Sequence, residues 1–134
     1  MQDATAIAEL LRAQKISFEE LLTEIEEKSN QLQPKLNAWT YLDLQGAKKY
    51  YRKNQDKLMR TTFAGLPIAL KALGQSKKGW PSTAGSVLLA ENKAKLTDHF
   101  VQGIERLGFV PIGQSNVPEY GFKNITDSKL YGNC

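Results

Sequence analysis

The 134-residue chain is 41% hydrophobic and 24% charged, with a formal net charge of +4. That balance suits one small globular domain with a modest core and excludes extended disorder. Its longest apolar runs, such as Gly65 to Leu70, are far short of the ~20 residues of a transmembrane helix.

Met1-Gln2-Asp3 carries no basic start followed by an apolar stretch, so no secretory leader is expected and the default location is cytoplasmic. The one cysteine, Cys134, has no partner for an intramolecular disulfide and no neighbouring ligand for a metal.

In chain order, Asp3 to Arg12 reads as a short helix with Ile7, Leu10 and Leu11 on one face. Ser17-Phe-Glu-Glu20 has capping-box spacing, and Ile16 with Leu21 suits a hydrophobic staple. The helix that follows buries Leu21, Leu22 and Ile25, and Pro34 is expected to mark its end. Asn37 to Leu42 alternates, with Trp39 and Tyr41 on one side, and predicts a strand.

A third helix is predicted from about Asp43 to Met59. It carries most of the basic residues: Lys48, Lys49, Arg52, Lys53 and Lys57, with Arg60 just beyond. A nucleic-acid interface is one reading of such a stripe. No base-stacking aromatics interleave it in a known recognition module, so a solvated helix face is the expectation.

Ala64-Gly-Leu-Pro-Ile-Ala-Leu-Lys-Ala-Leu73 is apolar on both alternating faces and predicts a strand covered on both sides, with Pro67 tolerated at its start. Gly74 to Ser86 reads as a long polar loop. Thr97 or Asp98 then caps a helix that turns Phe100, Val101, Ile104 and Leu107 inward and stops at Gly108. Phe109 to Gly113 is a second apolar strand. The strand–helix–strand spacing predicts a right-handed parallel crossover. Asn116 and Pro118 open a short helix, and Lys123 to Cys134 is a polar, turn-like tail. Two parallel strands alone leave unpaired backbone on both outer edges, so the sequence reads as part of a larger sheet. The expected segmentation is a mostly helical lead-in over 1–60 and a strand–loop–helix–strand unit over 64–122.

Lys71 is the candidate catalytic residue. A lysine buried in an apolar strand is pushed toward its neutral form and can serve as a base. The other reading ends the strand at Leu70 and lets Lys71 emerge into water. His99 falls in the first turn of a helix without a nucleophile motif beside it, so a surface or capping role is expected.

Several blocks resemble the amidase-signature family. Ala64-Gly-Leu-Pro-Ile-Ala-Leu-Lys71 resembles the segment that holds its catalytic lysine. Lys78-Gly-Trp-Pro-Ser-Thr-Ala-Gly-Ser86 resembles its Gly-x-Pro-Thr-Thr-Ala-Gly-Ser loop. Asp98 through Gly113, then Gln114-Ser-Asn-Val-Pro-Glu-Tyr-Gly121, resembles the stretch ending in Gly-Lys-Thr-Asn-Met-Pro-Glu-Phe. Thr5 to Leu11, Ile16 to Leu21 and Pro34 to Ala38 also fit, so the resemblance covers essentially all of the chain.

The resemblance implies an α/β fold: N-terminal helices plus the start of a mixed or parallel sheet of an amidase-signature α/β/α domain, with residues 1–134 as its N-terminal part. It implies hydrolysis of a carboxamide C–N bond by a lysine–serine–serine triad. A nucleophilic serine attacks the carbonyl, a bridging serine in a cis peptide passes the proton to the neutral lysine, and backbone amides stabilise the oxyanion. Lys71 matches the lysine; no metal or organic cofactor is implied.

This chain departs from the family pattern at three points. No Gly-Gly-Ser-Ser-Gly run follows Lys71, so Ser82, Ser86, Ser115 and Ser128 are read as loop and capping hydroxyls. Ala72 stands where the family commonly has an aspartate. Asn133-Cys134 ends the sequence abruptly after Leu130-Tyr131-Gly132. The expectation is a chain inactive alone and completed by a second chain carrying the serine signature, with a small amide substrate only in the completed site and no membrane partner. The alternatives are a non-catalytic assembly or binding fragment and a degenerate remnant.

Overall fold

The computed structural model describes residues 3–134; the leader reading of Met1-Gln2 lies outside them. Local capping sets the helices. In α1 (Ala4–Arg12) the Asp3 carboxylate accepts from the Ala6 amide at 2.9 Å. In α2 (Phe18–Leu36) the capping box is complete: Ser17 Oγ accepts from the Glu20 amide at 3.1 Å, and the Ser17 amide donates to Glu20 Oε2 at 2.7 Å. These bonds hold the Glu20 carboxyl below its ordinary pKa, the Ser17 amide contributing most.

The expected stop at Pro34 is corrected, because α2 runs through Pro34 to Leu36. A proline this close to a helix end has a compatible φ and forfeits only one bond. The stop is Asn37, which adopts the left-handed conformation (φ 46°) and donates its amide to the Gln33 carbonyl at 2.8 Å.

Strand β1 (Trp39–Leu42) leads through the Asp43 cap into α3 (Leu44–Leu58), where Asp43 Oδ1 accepts from the Gly46 amide at 2.8 Å. Strand β2 (Pro67–Lys71), helix α4 (His99–Arg106) and strand β3 (Val110–Ser115) form a strand–helix–strand unit with the two strands parallel, as expected. Asp98, not Thr97, caps α4, accepting from the Val101 amide at 2.8 Å. Thr97 Oγ1 instead accepts from the Lys78 amide at 3.0 Å and ties down the preceding loop. Single 3-10 turns span Val87–Leu89 and Glu119–Gly121, and β4 (Asp127–Ser128) pairs with β5 (Gly132–Asn133).

The main sheet has the order β1-β3-β2, with β2 parallel and β1 antiparallel to β3. The lead-in strand therefore covers one edge that the sequence pattern left open. A register shift between Trp39 and Tyr41 also corrects their expected shared side. Trp39 packs against the cluster formed by Leu11, Phe18, Leu22, Tyr51, Val110 and Ile112. Tyr41 packs against the second cluster, Leu70, Trp80 and Val101, meeting the Trp80 ring edge-on at 5.2 Å. A bulge adds one residue and flips the side-chain phase.

Three further expectations about burial change. On β2, Leu70 is buried but Ala69 and Lys71 are exposed, so this strand is covered on one side only. On α4, Val101 is fully buried and Ile104 partly so, whereas Phe100 and Leu107 remain about half exposed (56% and 50%). One layer covers this eight-residue helix, too narrow a contact to bury four positions. The Gly74 to Ser86 loop is polar in composition, yet Trp80, Thr83 and Ser86 are all buried.

Candidate active site

Lys71 is the last residue of β2 and pairs in register with Ser115, the last residue of β3. Registered neighbours share a sheet face, so the two side chains leave the same side at the carboxyl ends of parallel strands. Lys71 is exposed, as in the reading in which the side chain emerges into water, but β2 runs through Lys71 instead of ending at Leu70. Ala72, next in the chain, is buried and donates its amide to the Ser115 carbonyl at 3.2 Å. Behind it the chain reverses through Gly74 (φ 71°), and Gln75 Oε1 accepts from the Lys71 amide at 2.6 Å.

A recess of about 190 Å³ opens beside this reversal, between Ala72–Ser76 and the segment from Pro81 to Asn92, with Gln114 at its wall. Gln114 is 3% exposed; its Nε2 donates to the Pro81 carbonyl at 3.1 Å and its Oε1 has no partner among the described residues. The Ser86 hydroxyl, wholly buried, is also without a partner among the described residues. Buried polar atoms are rarely left unsatisfied, so both mark the layer under the site as polar.

The loop carrying Ser82, Thr83 and Ser86 is tied at several points. Thr83 Oγ1 shares a 2.7 Å hydrogen bond with the Tyr131 hydroxyl. Lys77 forms an ion pair with Glu105 of α4 and lies 5.6 Å and 5.8 Å from the Tyr50 and Trp80 ring centres. Ala84 accepts from the Tyr120 amide at 2.8 Å, and both residues adopt positive φ (49° and 52°). Two non-glycine residues in the left-handed region, bonded to each other, are held there by the fold around them.

The other sequence candidates lie elsewhere. His99 is exposed in the first turn of α4, and Cys134 is exposed. Lys49, Arg52, Lys53 and Lys57 face solvent along α3, with Arg52 paired to Glu19 at 3.0 Å. Among the described residues, no group of three His, Cys, Asp or Glu side chains is placed to hold a metal, and no helix is long and apolar enough to cross a membrane. Gln75 went unread in the sequence, and Gln114 and Tyr131 were read only as members of resembling blocks, with no role of their own. Gln75, four residues past Lys71 and just beyond a glycine, offered the only local signal.

Known proteins share the fold of this chain. A family model described as Amidase matches residues 20–134. The chain is 40% identical over 129 residues to a lipoamidase of Enterococcus faecalis, covering 96% of this chain and 18% of the relative. It is 32% identical over 133 residues to a 6-aminohexanoate-cyclic-dimer hydrolase of Paenarthrobacter ureafaciens, covering 98% and 26%. The solved structure of a 6-aminohexanoate cyclic dimer hydrolase superposes with a TM-score of 0.86 at 32% identity, covering 98% and 27%. The chain thus spans about a quarter or less of the length of these relatives.

Proposed function

The chain belongs to the amidase family, and from that premise we propose that it supplies the lysine-bearing part of an amide hydrolase, with Lys71 as the base. One observation carries the proposal: within a fold shared with amide hydrolases, Lys71 ends a parallel strand in register with Ser115, beside the tied Trp80–Ser86 loop. The reaction is cleavage of a carboxamide C–N bond. A serine oxygen adds to the carbonyl carbon, its proton passes through a second serine to the neutral Lys71 amine, and that proton is returned to the departing amine. Water then releases the acyl group from the serine.

Both serines come from a glycine- and serine-rich segment outside these 134 residues, on a second chain or on further polypeptide. That segment also covers the open side of β2 and removes Lys71 from water. These 134 residues alone are therefore inactive. A small carboxamide binds only once the site is complete. Exposed Leu88, Phe122 and Ile125 (90%, 87% and 71%) favour the accompanying reading of this chain as an assembly piece.

The test is to express the chain with the polypeptide encoded next to it and measure release of ammonia or amine from simple carboxamides. The expected result is hydrolysis by the assembly, no hydrolysis by the 134 residues alone, and loss of at least about a thousandfold in Lys71→Ala. Turnover that survives Lys71→Ala overturns the assignment; turnover by the 134 residues alone overturns the requirement for a second segment.

A further inference from the structure

The outer edge of β2 is closed only in part. The Leu66 carbonyl accepts from the Val110 amide at 2.9 Å, and the Ala72 amide donates to Ser115 at 3.2 Å, so both of these point toward β3. In a parallel ladder the alternate residues then present their backbone groups outward: Pro67, Ala69 and Lys71. Pro67 has no N–H to present. The Lys71 amide is taken by Gln75 Oε1 at 2.6 Å, from a half-buried side chain four residues on.

We propose that Gln75 is a positioning residue for Lys71. The inference rests on the reading of Lys71 as the base. Its bond holds the outward N–H of Lys71 within the chain's own residues. The last residue of an exposed strand edge ordinarily frays, because its outward N–H competes for water. Here the Lys71 backbone is clamped from both sides: its own N–H by Gln75, and the following N–H by the Ser115 carbonyl. That clamp sets the Cα–Cβ direction from which the four-carbon stem starts. A small error at the backbone is amplified along the stem to a displacement at Nζ large enough to impair proton transfer.

The sequence context agrees. Ala72 has no side-chain acceptor, so organisation of the strand end falls to a residue further on. Gly74 provides the means: its positive φ (71°) turns the chain back toward Lys71, and among the described residues, its two chain neighbours aside, no atom lies within 4 Å of where its Cβ would stand. The glycine is needed there for conformation rather than space.

Two measurements test the proposal. The first is amide hydrogen exchange at Lys71 in the chain itself, by NMR. The Lys71 N–H is expected to be protected, to exchange at least about tenfold faster in Gln75→Leu, and to regain protection in Gln75→Glu, which keeps the acceptor. The second is turnover of the assembly described above. Gln75→Leu is expected to lower kcat about tenfold with KM within about twofold, and Gln75→Glu to restore most of it. An unprotected Lys71 amide in the parent chain overturns the proposal. So does a Gln75→Leu variant with unchanged kcat when Lys71→Ala is inactive. If Lys71→Ala itself retains turnover, the catalytic reading fails, and the exchange experiment still decides whether Gln75 holds the Lys71 backbone.

Discussion

The Thr83 hydroxyl and the Tyr131 hydroxyl meet at 2.7 Å, joining the loop after β2 to the terminal hairpin across 48 residues of sequence. Thr83 is 2% exposed, so little water can replace this bond. Tyr131 is itself held, because the Asn37 side-chain amide donates to its carbonyl at 2.6 Å. The cap of α2, the hairpin and the loop beside Lys71 therefore form one connected unit. Tyr131→Phe removes one hydroxyl and leaves the Thr83 oxygen buried. The expected cost is about 1–2 kcal/mol, read as a lower denaturation midpoint. Faster amide exchange confined to residues 79–86 is the local signature. Unchanged exchange in that loop would show that Tyr131 does not restrain it.

Gly108 closes α4 with φ 96°, and a Cβ there would stand 1.8 Å from Thr61 Oγ1. Thr61 cannot easily yield, since its hydroxyl donates to the Leu58 carbonyl at 2.6 Å. Gly108→Ala combines backbone strain with overlap and should destabilise by more than about 2 kcal/mol. Gly74→Ala has the strain without the overlap and should cost about 1 kcal/mol. Urea denaturation of the two variants gives the comparison; equal losses would contradict it.

Ser17→Ala removes the α2 cap and should cost about 1 kcal/mol. The same site has a pH signature. The Glu20 carboxyl is held below its ordinary pKa by the Ser17 amide first and the Ser17 hydroxyl second. A depressed carboxyl adds stability that is fully present above the unfolded pKa and is lost as pH falls through the folded one. The stability difference between the parent and Glu20→Gln should therefore shrink on acidification below about pH 4.3. A difference constant between pH 7 and pH 3 would contradict the cap.

At the alkaline end, Tyr51 stacks on Phe18 at 4.1 Å, and its phenol pKa is raised by burial first and by the Glu19 charge second. Burial and the Asp43 charge act likewise on Tyr41, and burial and Glu105 on Tyr50. A raised pKa adds stability that is fully present below the unfolded value of about 10 and is lost as pH rises through the folded value. Stability should fall steeply above about pH 10, and Tyr51→Phe should make the fall shallower. An unchanged alkaline limb in that variant would place the transition elsewhere.

What the sequence by itself determined is local. The Asp3, Ser17–Glu20, Asp43 and Asp98 caps each join residues three apart, and such bonds are encoded wherever the spacing occurs. The crossover from β2 through α4 to β3, and the family resemblance around Lys71, were legible for the same reason: each lies in one continuous run. Only the tertiary structure decided the rest. β1 pairs with β3 across more than seventy positions, a choice no local pattern contains. Trp80 and Thr83 sit in a polar run and are buried, Trp80 against Leu70 and Val101 and Thr83 bonded to Tyr131, whereas Phe100 and Leu107 sit on an apolar stripe and stay about half exposed. Lys71 shows the division most clearly. Its strand was predicted, but its exposure and its clamp by Gln75 depend on what covers each side of β2. Burial is a property of the neighbours an element acquires, and those are set by long-range packing rather than by its own residues.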